Sequence, residues 1–181
     1  MADEVHPNDL GHEAAARFVT RLLDQVRGQV PGDDKQVAIK PLPKSLFTDL
    51  YEHTALMEAA DLKPVTNQGW AFDPSTKSWR SEMPGSVIEF EIAGRLLFFM
   101  DYHLRGKMGQ AKVSVDNGSP VVREGWFPGT WGGYRATTVI ARDLKPGPHR
   151  VRIELLATKH TESGGHEFRI LGLGAAGAAA P

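Results

Sequence analysis

From Val87 to Ile92 apolar and charged positions alternate, with Ile88, Phe90 and Ile92 on one face and Glu89 and Glu91 on the other. That period of two marks a half-buried strand. Ala93-Gly94 turns the chain, and Leu96 to Tyr102 is then almost continuously apolar, as expected of a central strand covered on both faces. Ala111 to Val115 alternates again, and Asp116-Asn117-Gly118 follows. Asn-Gly between strands is a strong hairpin signal, because both residues tolerate positive φ. Val121-Val122 begins the return strand, and Tyr134–Ala141, Val151–Leu155 and Phe168–Leu171 continue the series. Lys145-Pro146-Gly147-Pro148 is the turn before Val151, since Pro fixes φ and Gly supplies conformations that other residues avoid. Short strands about 8–12 residues apart predict a mainly β chain, an antiparallel β-sandwich of jelly-roll type over 85–173.

The period changes upstream. Ala14, Ala15, Phe18, Val19, Leu22, Leu23 and Val26 form a stripe at helical spacing. Asn8 and Asp9 cap a helix expected from about Leu10 to Arg27, and Gly28 with Pro31-Gly32 ends it. Exposed, that stripe is an apolar patch of about several hundred Å², enough to drive association. The helix is therefore expected to fold back on the sandwich or to pack against a second chain, which makes a homo-oligomer one expectation. Segment 31–84 reads as a linker holding a second helix near 45–60, with Leu46, Leu50, Leu56 and Met57 inward. Leu62 to Met83 reads as irregular, with Trp70, Phe72 and Trp79 anchoring it to something apolar. The Gly/Ala-rich end, 174–181, is low in complexity and expected to be disordered or loosely packed.

Composition narrows the function classes. A net charge of −1 over 181 residues supplies no field to attract nucleic acid or an anionic membrane. No apolar run approaches the roughly 18 residues of a membrane span, and Met1 is followed by no apolar signal segment. With no Cys, disulfides and thiolate metal sites are excluded. His6 with His12, His160 with His166, and Asp101 with His103 are the candidate ligand pairs, and none has the spacing of a zinc signature. Asp116-Asn117-Gly118 lacks the acidic cluster of a calcium site. No metal and no cofactor is expected.

One motif is specific. Asp3-Glu4-Val5-His6-Pro7-Asn8-Asp9-Leu10-Gly11-His12, followed by an Ala-rich helix, closely resembles the last block of the SGNH/GDSL hydrolases, whose Asp-x-x-His supplies the acid and base of a Ser-His-Asp triad. Gly109 before the Val113–Gly118 hairpin, then Leu144 to His149, is similar to the β-sandwich that follows the catalytic domain in some two-domain members. The resemblance implies that Asp3 orients His6 and that His6 takes the proton of a nucleophilic Ser. A hydroxyl is a weak nucleophile until a hydrogen-bonded base accepts that proton. The family's Gly-Asp-Ser block and oxyanion blocks do not occur in this sequence, nor does a Gly-x-Ser-x-Gly elbow. Ser86 and Ser119 begin predicted strands and read as structural. The expectation is the C-terminal part of a two-domain carbohydrate esterase: a remnant of the hydrolase domain over 1–30, with Asp3 and His6 vestigial, then linker and sandwich. Such esterases work on extracellular or periplasmic polysaccharides, which implies an exported parent protein.

Gly125 to Tyr134 is the most unusual stretch, with Trp126, Phe127, Trp131 and Tyr134 set among glycines. Loops on a rigid scaffold are where such folds place function. Flat aromatic faces stack on sugar rings, and Arg123, Glu124 and Arg135 are at hand for hydroxyls. Trp126, Trp131, Tyr134, Arg123 and Arg135 are the candidate ligand-binding residues, with Trp131 the most exposed and Trp126 buried. Three readings follow: a non-catalytic module that binds a polysaccharide or glycan; an esterase or deacetylase using Asp3-His6 with a Ser from another domain; and a structural module without ligand. Exposed, coplanar rings favour the first, and rings buried against the N-terminal helix favour the third.

Overall fold

The structure is a computed structural model that describes residues 6–29, 43, 47–51 and 53–177. The chain divides into two units, Met1–Lys44 and Ser45–Pro181. The described residues of the first hold one helix, α1 (Asp9–Arg27). Asn8 caps it, its side chain accepting from the Gly11 N–H at 3.0 Å, and this satisfies a donor that has no partner within the helix. Asp9 in the first turn and Arg27 in the last complement the helix dipole. Leu10, Phe18, Val19, Leu22, Leu23 and Val26 are exposed along it.

The second unit is built of antiparallel strands in two sheets. In chain order they are β1 (Thr54–Glu58), β2 (Thr66–Gln68), β3 (Ala71–Asp73), β4 (Ser78–Ser81), β5 (Val87–Ala93), β6 (Leu96–His103), β7 (Gln110–Val115), β8 (Val121–Glu124), β9 (Tyr134–Ala141), β10 (Pro148–Leu155) and β11 (Phe168–Ala176). One sheet runs β3-β4-β11-β6-β9, with β1 also paired to β11. The other runs β2-β5-β10-β7-β8. Inward residues of both sheets form one cluster: Leu97, Phe99, Phe168 and Ile170 from the first meet Ile88, Phe90, Val113 and Ile153 from the second. Trp79 on β4 crosses the layers to meet Phe90 on β5 edge-on. Burying apolar surface at about 25 cal/mol per Å² is what joins the layers, and the alternation in β5 and β7 directs it.

Four expectations change. The helix near 45–60 is absent from its described part, where Thr54–Glu58 is a strand paired with Ala176–Gly172. Five residues with one open edge answer to their neighbour more than to helix propensity, and Leu56, expected inward, is 60% exposed. The segment read as irregular contains β2, β3 and β4, each too short for periodicity to register. Trp70 within it is buried in the core, and Trp79 donates its indole N–H to the Ala59 carbonyl at 3.0 Å. The tail is ordered through Ala176: Gly174, Ala175 and Ala176 lie in β11 between β1 and β6, and Ala175 and Ala176 are buried. Earlier in the same strand, a side chain at Gly172 would strike the Met57 carbonyl and Met100. The sheets thus draw on residues from Thr54 to Ala176, a wider span than 85–173.

The hairpin after β7 also differs in detail. Positive φ falls on Asp116 (φ 49°), not on Asn117 or Gly118. Asp116 is held there by β10, its Oδ1 accepting from the Arg150 N–H at 2.9 Å and its Oδ2 lying 2.8 Å from His149 Nδ1.

Candidate functional site

Alternation along β6 places Leu97, Phe99, Asp101 and His103 on its inner face. The first two belong to the core. Asp101 is also fully buried, at 0% exposure, so the inner face turns polar toward this end of the strand. A buried carboxylate needs partners, and the opposite sheet supplies one. Arg123 of β8 donates from Nη2 to Asp101 Oδ1 at 3.0 Å and from Nε to Oδ2 at 3.3 Å. This is the two-point geometry that a planar guanidinium favours.

His103 extends the network outward. Its Nε2 lies 3.1 Å from Asp101 Oδ2, and its Nδ1 lies 3.2 Å from the Tyr134 hydroxyl. Register explains the second contact, because His103 of β6 pairs with Tyr134 of β9. Asp101 and His103 therefore hydrogen-bond to Arg123 and Tyr134. Among the described residues no group of three or more His, Asp or Glu is placed to hold a metal ion.

The aromatic loop sits over this network. It is pinned to the end of β6, where the Leu104 N–H donates to the Gly125 carbonyl at 3.0 Å and the Phe127 N–H to the Leu104 carbonyl at 3.3 Å. Phe127 meets Trp131 edge-on at 5.1 Å and Tyr134 edge-on at 4.9 Å between ring centroids. Trp131 is 69% exposed and Tyr134 37%. Two glycines permit the arrangement: a Cβ at Gly129 would strike the Phe127 ring, and one at Gly133 would come within 2.6 Å of the His103 carbonyl and the Tyr102 hydroxyl. The rings do not form the flat strip of the binding expectation. The Phe127 ring stands at 68° to Trp131 and 80° to Tyr134, so it buttresses the two rings that meet solvent.

Trp126 takes another course. It is 7% exposed and stacks on His160 at 3.8 Å with rings 2° from parallel. Its buried indole N–H has no acceptor in reach among the described residues. Trp126 is thus part of the packing beneath the loop and does not belong with the solvent-facing rings. Arg135 is also set apart, since it is adjacent to Tyr134 on β9 and points to the other face of the sheet. There it pairs with Glu58 at 2.9 Å beside a cleft of about 590 Å³ lined by Glu58, Ala60, Phe72, Pro74, Lys77 and Arg135. Of the five candidate binding residues, the structure brings together Trp131, Tyr134 and, through His103, Arg123. Phe127, His103 and Asp101 complete the site. The spacing of Asp101 and His103 on one strand face was the signal for two of them.

His6 is exposed just ahead of α1, and Asp3 lies outside the described residues. Ser86 is buried, with its Oγ 3.0 Å from that of Ser81, and Ser119 is exposed.

No protein-family model matches this chain, and no curated protein matches it. Solved structures do. A two-domain esterase (CEX) active on acetylated mannans, co-crystallised with mannopentaose, superposes with a TM-score of 0.79 at 22% identity, over 100% of this chain and 50% of that one. A second crystal structure of a two-domain esterase (CEX) active on acetylated mannans gives 0.79 at 21% identity with the same coverage. A family two carbohydrate esterase from Cellvibrio japonicus gives 0.52 at 18% identity, over 70% of this chain and 34% of that one. The chain has the fold of a part of these carbohydrate esterases and spans half the length of the first two.

Proposed function

We propose that this chain is a non-catalytic β-sandwich module of an SGNH-type carbohydrate esterase, and that it holds a polysaccharide on Trp131 and Tyr134. The carrying observation is the exposed Trp131, beside Tyr134 and braced by Phe127, over the network in which Arg123 and His103 hold the buried Asp101. A pyranose presents an apolar face of C–H groups and an edge of hydroxyls. An exposed indole takes the face, and a phenol beside it takes an edge hydroxyl. Few convergent polar groups among aromatic surfaces are the usual make-up of a small-ligand site. The similarity to an esterase active on acetylated mannans makes mannan the first polysaccharide to try. Calorimetry against manno- and cello-oligosaccharides, acetylated and free, tests this. The expected result is binding to at least one that Trp131→Ala abolishes. Binding to none returns the aromatic loop to a structural role against a neighbouring domain.

A second reading draws on the coverage. The likeness spans the whole of this chain, the α1 segment included, yet only half of the two-domain esterase. In this reading Asp3 and His6 supply the acid and base to a Ser-bearing domain, and the module works beside it. Ester hydrolysis that appears only when this chain is combined with such a domain, and that His6→Ala removes, is the expected result. Hydrolysis insensitive to His6 overturns it.

A further inference from the structure

We infer that His103 fixes the Tyr134 oxygen as a hydrogen-bond acceptor toward ligand, so that the site selects a free sugar hydroxyl over an acylated one. This rests on the carbohydrate-binding reading above. His103 Nε2 faces the carboxylate of Asp101 at 3.1 Å and Arg123 Nη2 at 3.4 Å. A carboxylate only accepts and a guanidinium only donates. The shorter, charge-assisted contact to Asp101 therefore places the proton on Nε2, and Arg123, a donor opposite a donor, stays in contact without bonding. In the neutral ring Nδ1 is then the acceptor, and the Tyr134 hydroxyl donates its one proton to it at 3.2 Å. With that proton committed, only the lone pairs of the phenolic oxygen remain for solvent or ligand.

The consequence is chemical. A sugar hydroxyl has a proton to give to that oxygen, and an acetylated position has none. An acetyl carbonyl set there would face an acceptor and leave both groups unpaired, the more costly outcome. The module would thus favour the deacylated stretch of a chain at the Tyr134 contact, while Trp131 stacking is indifferent to acylation. Asp101 sets this polarity through His103, and Phe127 braces the Trp131 and Tyr134 rings.

Calorimetry of the full chain with one free oligosaccharide and its O-acetylated form, for wild type, Tyr134→Phe and Trp131→Ala, tests the inference. The expected preference for the free form is about 3- to 10-fold, the worth of one hydrogen bond. Tyr134→Phe should erase it by weakening the free form only, since a steric preference would survive this change. Trp131→Ala should abolish binding of both forms. Nitrogen-15 NMR of the imidazole should show His103 protonated at Nε2 and bare at Nδ1. Equal affinity in wild type, a preference that persists in Tyr134→Phe, or a protonated Nδ1 overturns the inference and leaves the binding reading standing if Trp131→Ala abolishes binding. Binding that Trp131→Ala does not touch, or no binding at all, overturns both.

Discussion

Asp101 on β6 and Arg123 on β8 tie the two sheets together through a two-point ion pair, 3.0 Å and 3.3 Å long, with the carboxylate fully buried. Removing Arg123 leaves the buried carboxylate of Asp101 with His103 alone as its side-chain partner. Arg123→Met is expected to cost about 3–5 kcal/mol in chemical denaturation, whereas the paired change Asp101→Leu with Arg123→Met is expected to recover most of that loss. Equal losses in the single and double variants would show that the pair does not act as a unit.

Trp131 and Trp126 separate ligand contact from packing. Trp131→Ala removes a ring that meets mostly solvent, so stability should change by no more than about 0.5 kcal/mol. Trp126→Ala empties a buried stack against His160 and should cost about 3 kcal/mol or more. Thermal and denaturant unfolding of both variants makes the comparison.

His149 makes stability depend on pH. Its Nδ1 faces Asp116 and its Nε2 faces the Lys145 carbonyl, both at 2.8 Å. Two acceptors call for two ring protons, and the hydrogen bond to Asp116 raises the His149 pKa above its ordinary value. The Asp116 carboxyl is lowered by the Arg150 N–H first and His149 second. The histidine contribution is complete below the unfolded value of about 6.5 and fades as pH rises through the raised folded value. The aspartate contribution is complete above about 3.9 and fades as pH falls through its lowered folded value. Unfolding free energy measured from pH 4 to pH 9 should therefore decline on the alkaline side, and His149→Gln should flatten that decline. A decline unchanged in the variant would assign it elsewhere.

The Gly/Ala end of β11 should be indispensable up to Ala176. Truncation after Leu173 removes partners of both β1 and β6 and is expected to abolish cooperative unfolding. Gly172→Val should cost about 1–3 kcal/mol through overpacking against the Met57 carbonyl and Met100. A truncated chain that melts like the full one would show that this segment adds nothing.

Leu10, Phe18, Val19, Leu22, Leu23 and Val26 of α1 are exposed, and an apolar stripe of that kind favours association. Association measured by light scattering is expected to fall when Phe18 and Leu22 are both changed to Ser. A chain that is monomeric before and after the change removes the helix as a contact surface.

The sequence by itself determined the elements whose side chains state their own burial. Alternation in Val87–Ile92 and Ala111–Val115, and the Asn8 cap with its helical stripe, are local patterns that neighbouring residues impose. Tertiary structure decided what local pattern cannot carry. Thr54–Glu58 became a strand because β11 offered it an edge. Ala175 and Ala176 became core because β1 and β6 close over them, where small side chains let the strands approach. Asp101 and Arg123, 22 residues apart on different sheets, became partners only when the layers packed. The physical reason is one of range: propensity and periodicity act over a few residues, whereas strand edges, buried charges and the polarity of the Tyr134 oxygen are set by groups that only the fold brings within hydrogen-bonding distance.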